Sequence, residues 1–371
     1  MIAFTSSTPH QTWNAILMAK KLFPEEKCDL FLFDECAHYD KIADELRKTD
    51  VFENVYSCKV TRFMCHEVKN SLQRKVKKLT YFIFWKQFLK KYAPVEKKYD
   101  KVFLASNDEP RCFILSRMKQ LSPQLEAFYY EDGANDYISN PHPKHTGKKL
   151  RFAKLVGLDY GIGDNIRTTY VAEPSCVVTD EYELERIPSV DVQKDRELVE
   201  LLNRVFGCKP YPIKEKAVFL FSEFSREEMN RINKELVFEF VERYGEDSLL
   251  FKDHPRLPAA GYDGIRKFPK EHETLWECIS MNTDCSQKIL LSVISTSLYI
   301  PKFLFGQEPT LIFLYEVIPV FTRPDRYRTF VEFVGRIRET YSDPSKVFVP
   351  KTKEELFAFL DGVMNEKREM Q

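Results

Sequence analysis

Three short clusters combine residue types suited to acid–base and phosphate chemistry. Glu131-Asp132-Gly133 sets two carboxylates side by side. Adjacent carboxylates disfavour each other's ionisation, and burial raises their pKa further, which suits a general base. The glycine permits a tight turn that keeps them accessible. Asp253-His254-Pro255 holds an imidazole beside a proline, whose ring restricts the backbone and so aims the side chain. Near a phosphate, such a histidine can donate a hydrogen bond or a proton to a leaving group. Ser295-Thr296-Ser297 offers hydroxyls and, at the start of a helix, backbone N–H groups that cradle a phosphate. Taken singly, each cluster is also an ordinary turn or helix cap. What they share is position, because each closes a short apolar run: Ala127-Phe128-Tyr129-Tyr130, Ser248-Leu249-Leu250-Phe251-Lys252 and Lys288-Ile289-Leu290-Leu291-Ser292-Val293-Ile294.

The positioning elements read as an alternation of strands and helices. Strands are expected at residues 2–5, 29–33, 102–105 and 127–130, with helical spacing at 11–23, 37–47 and 111–119 between them. Around residues 206–216 the pattern breaks at a stretch with Gly207, Pro210 and Pro212. It resumes with strands at 217–221, 248–252, 288–294, 310–315 and 346–349, and helices at 226–244 and 353–363. This order predicts an α/β protein of two doubly wound, Rossmann-like halves, 1–207 and 208–371, with the last helix packing back on the first half. Ligands of open α/β sheets bind beyond the carboxyl ends of the strands. A central cleft between two such halves would therefore gather all three clusters.

Composition narrows the function classes. The chain has 371 residues, with 43% hydrophobic and 30% charged residues, which is a soluble globular balance. Lys+Arg and Asp+Glu are both 56, so nothing in the overall charge favours nucleic acid. Nine cysteines without a Cys-x-x-Cys read as reduced thiols in a cytoplasmic protein rather than as a disulfide framework or zinc site. No signal peptide is expected at the N-terminus, and the apolar stretches at 79–85 and 311–321 are too short or interrupted to span a bilayer.

At the three clusters the sequence resembles the bacterial sialyltransferases that build lipooligosaccharide and capsule. Those enzymes share an acidic pair followed by glycine, a His-Pro and a Ser-Ser/Thr pair. Here these read Tyr129-Tyr130-Glu131-Asp132-Gly133, Phe251-Lys252-Asp253-His254-Pro255-Arg256 and Val293-Ile294-Ser295-Thr296-Ser297-Leu298. Ser7-Thr8-Pro9-His10-Gln11-Thr12-Trp13-Asn14-Ala15-Ile16 looks like the family's opening Thr-Pro-x-Gln segment, and Phe303-Leu304-Phe305-Gly306 follows the third motif. The resemblance implies a GT-B fold, CMP-sialic acid as donor substrate, a glycan acceptor, no cofactor and no metal. It implies Glu131 as the base for the acceptor hydroxyl with Asp132 in support, and His254 on the CMP phosphate as acid. Ser295, Thr296 and, as a substitute, Ser297 would bind that phosphate. Glu277 would meet the ribose, Gly133 would shape the turn, and His10, Gln11 and Asn107 are candidate donor or acceptor contacts. In one departure, Asp253 stands where the family often has proline, and its charge could raise the pKa of His254.

Other readings stay open at this point. Another inverting GT-B transferase could use CMP-Kdo or a UDP-sugar, and a non-catalytic glycan- or nucleotide-binding protein could keep the fold. A hydrolase lacks support, since no serine or cysteine sits in a nucleophile elbow. Residues 69–101, from Lys69 to Lys101, hold eleven Lys/Arg against two Asp/Glu, interleaved with Tyr81, Phe82, Phe84, Trp85, Phe88 and Tyr92. Such a segment could lie peripherally on the anionic inner face of the plasma membrane, each basic residue adding ~1 kcal/mol. Alternatively its aromatics pack into the domain. His142 and His145 read as loop residues without a role.

Overall fold

The computed structural model describes residues 1–36, 38–142, 148–159, 161–179, 181–222, 224, 226–253, 261–269 and 275–365. The chain is α/β and divides into two compact units, Met1–Pro188 and Ser189–Gln371.

The first unit is a seven-stranded parallel sheet of β1 (Ile2–Ser6), β2 (Cys28–Phe33), β3 (Asn54–Cys58), β4 (Lys101–Leu104), β5 (Glu126–Tyr130), β6 (Ile166–Val171) and β7 (Glu183–Arg186). Their order is β3-β2-β1-β4-β5-β6-β7. The central strands are nearly continuous apolar runs because both faces are covered: every residue of β1 and β2 is buried. An aromatic ladder crosses one face, with Phe4 stacked on Phe103 at 4.9 Å and Phe103 on Phe128 at 5.0 Å.

β3, β6 and β7 go beyond the expected strands. β7 reads Glu-Leu-Glu-Arg and is mostly exposed at the sheet edge, and β6 mixes buried Ile166, Thr169 and Val171 with partly or fully exposed residues. Neither carries the apolar run that marks a central strand.

The second unit is a five-stranded parallel sheet of β8 (Ala217–Leu220), β9 (Leu249–Lys252), β10 (Ile289–Ser292), β11 (Thr310–Phe313) and β12 (Val347–Phe348), in the order β12-β11-β10-β8-β9. The units divide after Pro188, earlier than the 207/208 join expected from the Gly/Pro-rich stretch. Helix Arg196–Phe206 lies on the second unit's side of that division because Asn203 and Asn282 exchange amide hydrogen bonds of 3.1 and 2.7 Å. The closing helix, Lys353–Asn365, is anchored by Asp361, which pairs with Arg243 and accepts a 2.8 Å hydrogen bond from Tyr244. Among the described residues no helix is long and apolar enough to cross a membrane.

Each sheet has a topological switch point. In the first, the chain runs outward from β1 to β2 and β3, then crosses to β4 on the other side of β1. In the second, β9 lies on one side of β8 and β10 on the other. Right-handed crossovers in opposite directions place helices on opposite faces, so each sheet is doubly wound. They also leave a crevice beyond the carboxyl ends of β1 and β4, and of β8 and β10.

Candidate active site

The first unit's switch point is built by the segment after β1. Thr8 caps helix Pro9–Lys21, its hydroxyl accepting from the Gln11 N–H at 3.1 Å. That turns His10 and Gln11 into the first helical turn. Gln11 is fully buried, and its side chain ties three loops together. Its carbonyl accepts from the Ser7 N–H at 2.6 Å, while its amide donates to the Ala105 carbonyl beyond β4 at 3.2 Å and to the Asp132 carboxylate. A second tie comes from buried Arg111, which pairs with Asp108, donates to Ser7 Oγ at 2.8 Å and lies over the Phe33 ring. Asn107 is half-buried on the same loop.

The acidic pair closes β5, the next strand along, and its two members face opposite environments. Glu131 is 1% exposed, whereas Asp132 is an exposed residue. Glu131 Oε2 accepts from the Tyr137 hydroxyl and from the Ala172 N–H, each at 2.7 Å. Its other oxygen, Oε1, stands 3.6 Å from His10 Nε2. Asn14, one turn on from His10, lies 3.2 Å from that nitrogen and donates to the Glu131 carbonyl at 3.4 Å. The His10 side chain keeps 15% of its surface exposed, so it is the member of the pair that solvent reaches.

Gly133 turns the chain at φ 152, in a region that favours glycine. The turn is closed by Asp136, whose Oδ2 accepts from the Asp132 N–H at 2.5 Å and the Gly133 N–H at 3.4 Å. Burial, reinforced by the charges of Asp132 and Glu131, pushes the Asp136 carboxyl up to about 8 against the pull of those N–H groups. His142 is buried as well, 2.8 Å from Thr169 Oγ1 and packed between Tyr129 and Tyr182. Burial lowers its pKa to about 4, which makes it a neutral core histidine.

In the second unit, Ser295 follows β10 and caps the turn Thr296–Leu298, accepting from the Ser297 N–H at 3.3 Å. Among the described residues no protein group bonds the Thr296 hydroxyl, and Thr296 is half-buried. The Trp276 indole N–H donates to the Ser297 carbonyl at 2.7 Å and so fixes the first turn of helix Trp276–Met281, where Glu277 is buried, against this segment. Asp253, at the end of β9, pairs with Lys267 at 3.3 Å. His254 lies outside the described residues, as do Pro255 and His145.

Glu131, Asp132, Gly133, His10 and Gln11 are thus brought together at one strand-end crevice, and Ser295, Thr296, Ser297 and Glu277 around another. Sequence reasoning missed Asn14, Asp136, Tyr137 and the Ala172 N–H. For Asn14 a signal existed, since polar Gln11, Thr12 and Asn14 interrupt an apolar helix that is buried almost throughout. For Ala172 none did, because it follows the unrecognised strand β6.

A buried carboxylate beside a partly exposed imidazole, within a shell of fixed donors, can accept a proton from a hydroxyl and stabilise the charge that results. Hydroxyls and N–H groups at a strand end can hold a phosphate.

No protein-family model and no curated protein matches the sequence. Solved structures give distant likenesses of architecture. A glycotransferase of kitacinnamycin is 12% identical, with 99% of this chain and 94% of that one covered and a TM-score of 0.47. A UDP-GlcNAc 2-epimerase from Neisseria meningitidis bound to UDP-GlcNAc is 11% identical over 99% and 100% of the two chains, TM-score 0.43. MurG of Acinetobacter baumannii is 9% identical over 98% and 90%, TM-score 0.40.

Proposed function

We propose that the chain is a GT-B glycosyltransferase that moves sialic acid from CMP-sialic acid to a sugar hydroxyl of a bacterial surface glycan. The observation that carries the transferase reading is the placement of Glu131 Oε1 3.6 Å from His10 Nε2 at the first unit's switch point, with Gln11 and Asp132 alongside. Glu131 acts as the base for the acceptor hydroxyl, and His10 is the exposed partner through which the proton reaches it. Asp132, held by Gln11, orients the acceptor. In the second unit, Ser295, Thr296 and His254 hold the donor's phosphate and stabilise the leaving nucleotide. The choice of a CMP-activated sialic acid is supported by the resemblance of the three motifs alone.

A nucleotide-release assay over CMP-sialic acid, CMP-Kdo and a set of UDP-sugars, with a galactose-terminated acceptor, tests the reading. CMP release with CMP-sialic acid, lowered about 10²–10⁴-fold in Glu131→Gln, is the expected result. Turnover with UDP-sugars only would sink the donor assignment. Nucleotide binding with no turnover on any donor would remove the enzyme reading.

A further inference from the structure

Helix Ser71–Ile83 is built with its apolar face turned outward. Asn70 caps it, accepting from Leu72 N at 2.9 Å and Gln73 N at 3.1 Å. Its polar side chains tie it to the protein. Arg74 donates to the Val68 carbonyl at 3.0 and 2.8 Å, and Lys77 pairs with Glu67 at 2.6 Å. Tyr81 and Phe82 pack inward, against Phe88 and Phe152. On the other side, Leu72 is 69%, Val76 57%, Leu79 49% and Ile83 38% exposed, and Phe84, which follows the helix, is 53% exposed. At helical spacing the first four fall within an arc of about 60°, one continuous stripe.

Apart from Phe84, the aromatics of this segment are therefore not exposed. Trp85 and Phe88 are core residues, at 1% and 3% exposure, which is the packing alternative raised by the sequence. The outward stripe is aliphatic. Lys69, Lys75, Lys86 and Lys90 are exposed in the same segment, and among the described residues none of them pairs with a carboxylate. The neighbouring helix Lys148–Leu155 extends the pattern. It is joined to the buried side of this segment by Phe152 on Phe82 at 5.8 Å and by the Trp85 indole N–H on the Val156 carbonyl at 3.0 Å. It adds Leu155, 84% exposed, with Arg151 and Lys154 exposed beside it.

From this stripe and its charge we infer that the first unit docks on an anionic lipid bilayer, Leu72, Val76, Leu79 and Ile83 entering the headgroup boundary and the lysines meeting lipid phosphates. An apolar stripe within a basic field suits a lipid surface, where apolar burial and charge attraction add. A second copy of the chain fits less well, because a two-fold contact would bring one lysine field against the other. The formal net charge is zero, so this positive field is local and orients the molecule. The inference is independent of the transferase reading, since neither donor nor acceptor enters it.

Co-sedimentation of the full chain with vesicles tests it. With about 30% phosphatidylglycerol in phosphatidylcholine at low salt, the protein should pellet, and salt near about 0.5 M should release it. Lys75→Ala should weaken binding about fivefold, the share of one surface charge. Val76→Glu with Leu79→Glu should weaken it by about tenfold or more, because two stripe residues would no longer enter the apolar boundary. Both are exposed positions, so circular dichroism and melting temperature should match wild type. Absence of pelleting at low salt, equal binding to pure phosphatidylcholine, or unchanged binding by the double variant would overturn the inference. So would a dimer in solution that the double variant dissociates, since a second copy would then occupy the stripe.

Discussion

His10 Nε2 and Glu131 Oε1 stand 3.6 Å apart, one at the first turn of the helix after β1 and the other at the end of β5. The carboxylate is buried and held by two donors on its other oxygen, so its position is set before any substrate arrives. Glu131→Gln keeps the shape and removes the charge. It should lower turnover by about 10²–10⁴-fold, the range for a positioned acid or base. His10→Ala should fall in the same range, and the double variant should cost little more than either alone, because the two act as a unit. Single-turnover CMP release in the three variants checks this, and additive losses would separate their roles.

Gln11 shows how much of the site depends on one neutral side chain. It joins the Ser7 N–H, the Ala105 carbonyl and the Asp132 carboxylate, so three segments far apart in the sequence meet on one side chain. Gln11→Leu leaves the buried Ser7 N–H and Ala105 carbonyl unmet, at about 1–3 kcal/mol for each. Urea denaturation should show a loss of about 2 kcal/mol or more, with m unchanged. Gln11→Glu should be worse, since it sets a new carboxylate against Asp132. A Gln11→Glu protein as stable as wild type would contradict the contact.

Much of this was legible in the chain. β1, β2, β4, β5, β8, β9 and β10 are buried on both faces or nearly so, and their runs of Phe, Leu, Val and Ile declare it. Because chemistry in such sheets sits at strand ends, Glu131 and Ser295 could be singled out without a structure. Strand order could not be. The switch point that joins His10 to Glu131 depends on β4 crossing to the far side of β1, a tertiary choice that no local pattern encodes. The division between Glu131 and Asp132 was equally hidden. It is set by Tyr137 and by the Ala172 N–H beyond an edge-proximal strand whose Thr168 and Thr169 look like loop residues.

Asp136 sets a pH dependence of stability. Its carboxyl is raised by burial to about 8, against about 3.9 when unfolded, so the folded state holds a proton that the unfolded state has lost. That contribution is complete below about pH 4 and is lost as pH rises through about 8. His142 acts oppositely. Its folded pKa of about 4 lies below the unfolded value of about 6.5, so its contribution is lost as pH falls between them. The two slopes offset each other up to about pH 6.5, and only that of Asp136 remains above it. Melting temperature should therefore decline from about pH 6.5 to about pH 8 in the wild type. Asp136→Asn, which copies the protonated acid, should flatten that decline. A decline of equal steepness in the variant would assign it to another group.

The turn after β10 allows binding to be separated from folding. Ser295 caps the turn, so Ser295→Ala should cost about 0.5–2 kcal/mol of stability whatever the ligand. Thr296 carries a hydroxyl that no described protein group bonds, and Thr296→Val keeps its volume. If that hydroxyl meets the donor's phosphate, Thr296→Val should leave the melting temperature near wild type while raising the donor KM by about tenfold, the worth of one hydrogen bond to a charged group. The acceptor KM should not move, because the acceptor chemistry is assigned to the first unit. Calorimetry with CMP alone gives the same comparison without turnover. Equal CMP affinity in wild type and Thr296→Val would take Thr296 out of the phosphate site and leave the turn as a helix cap only.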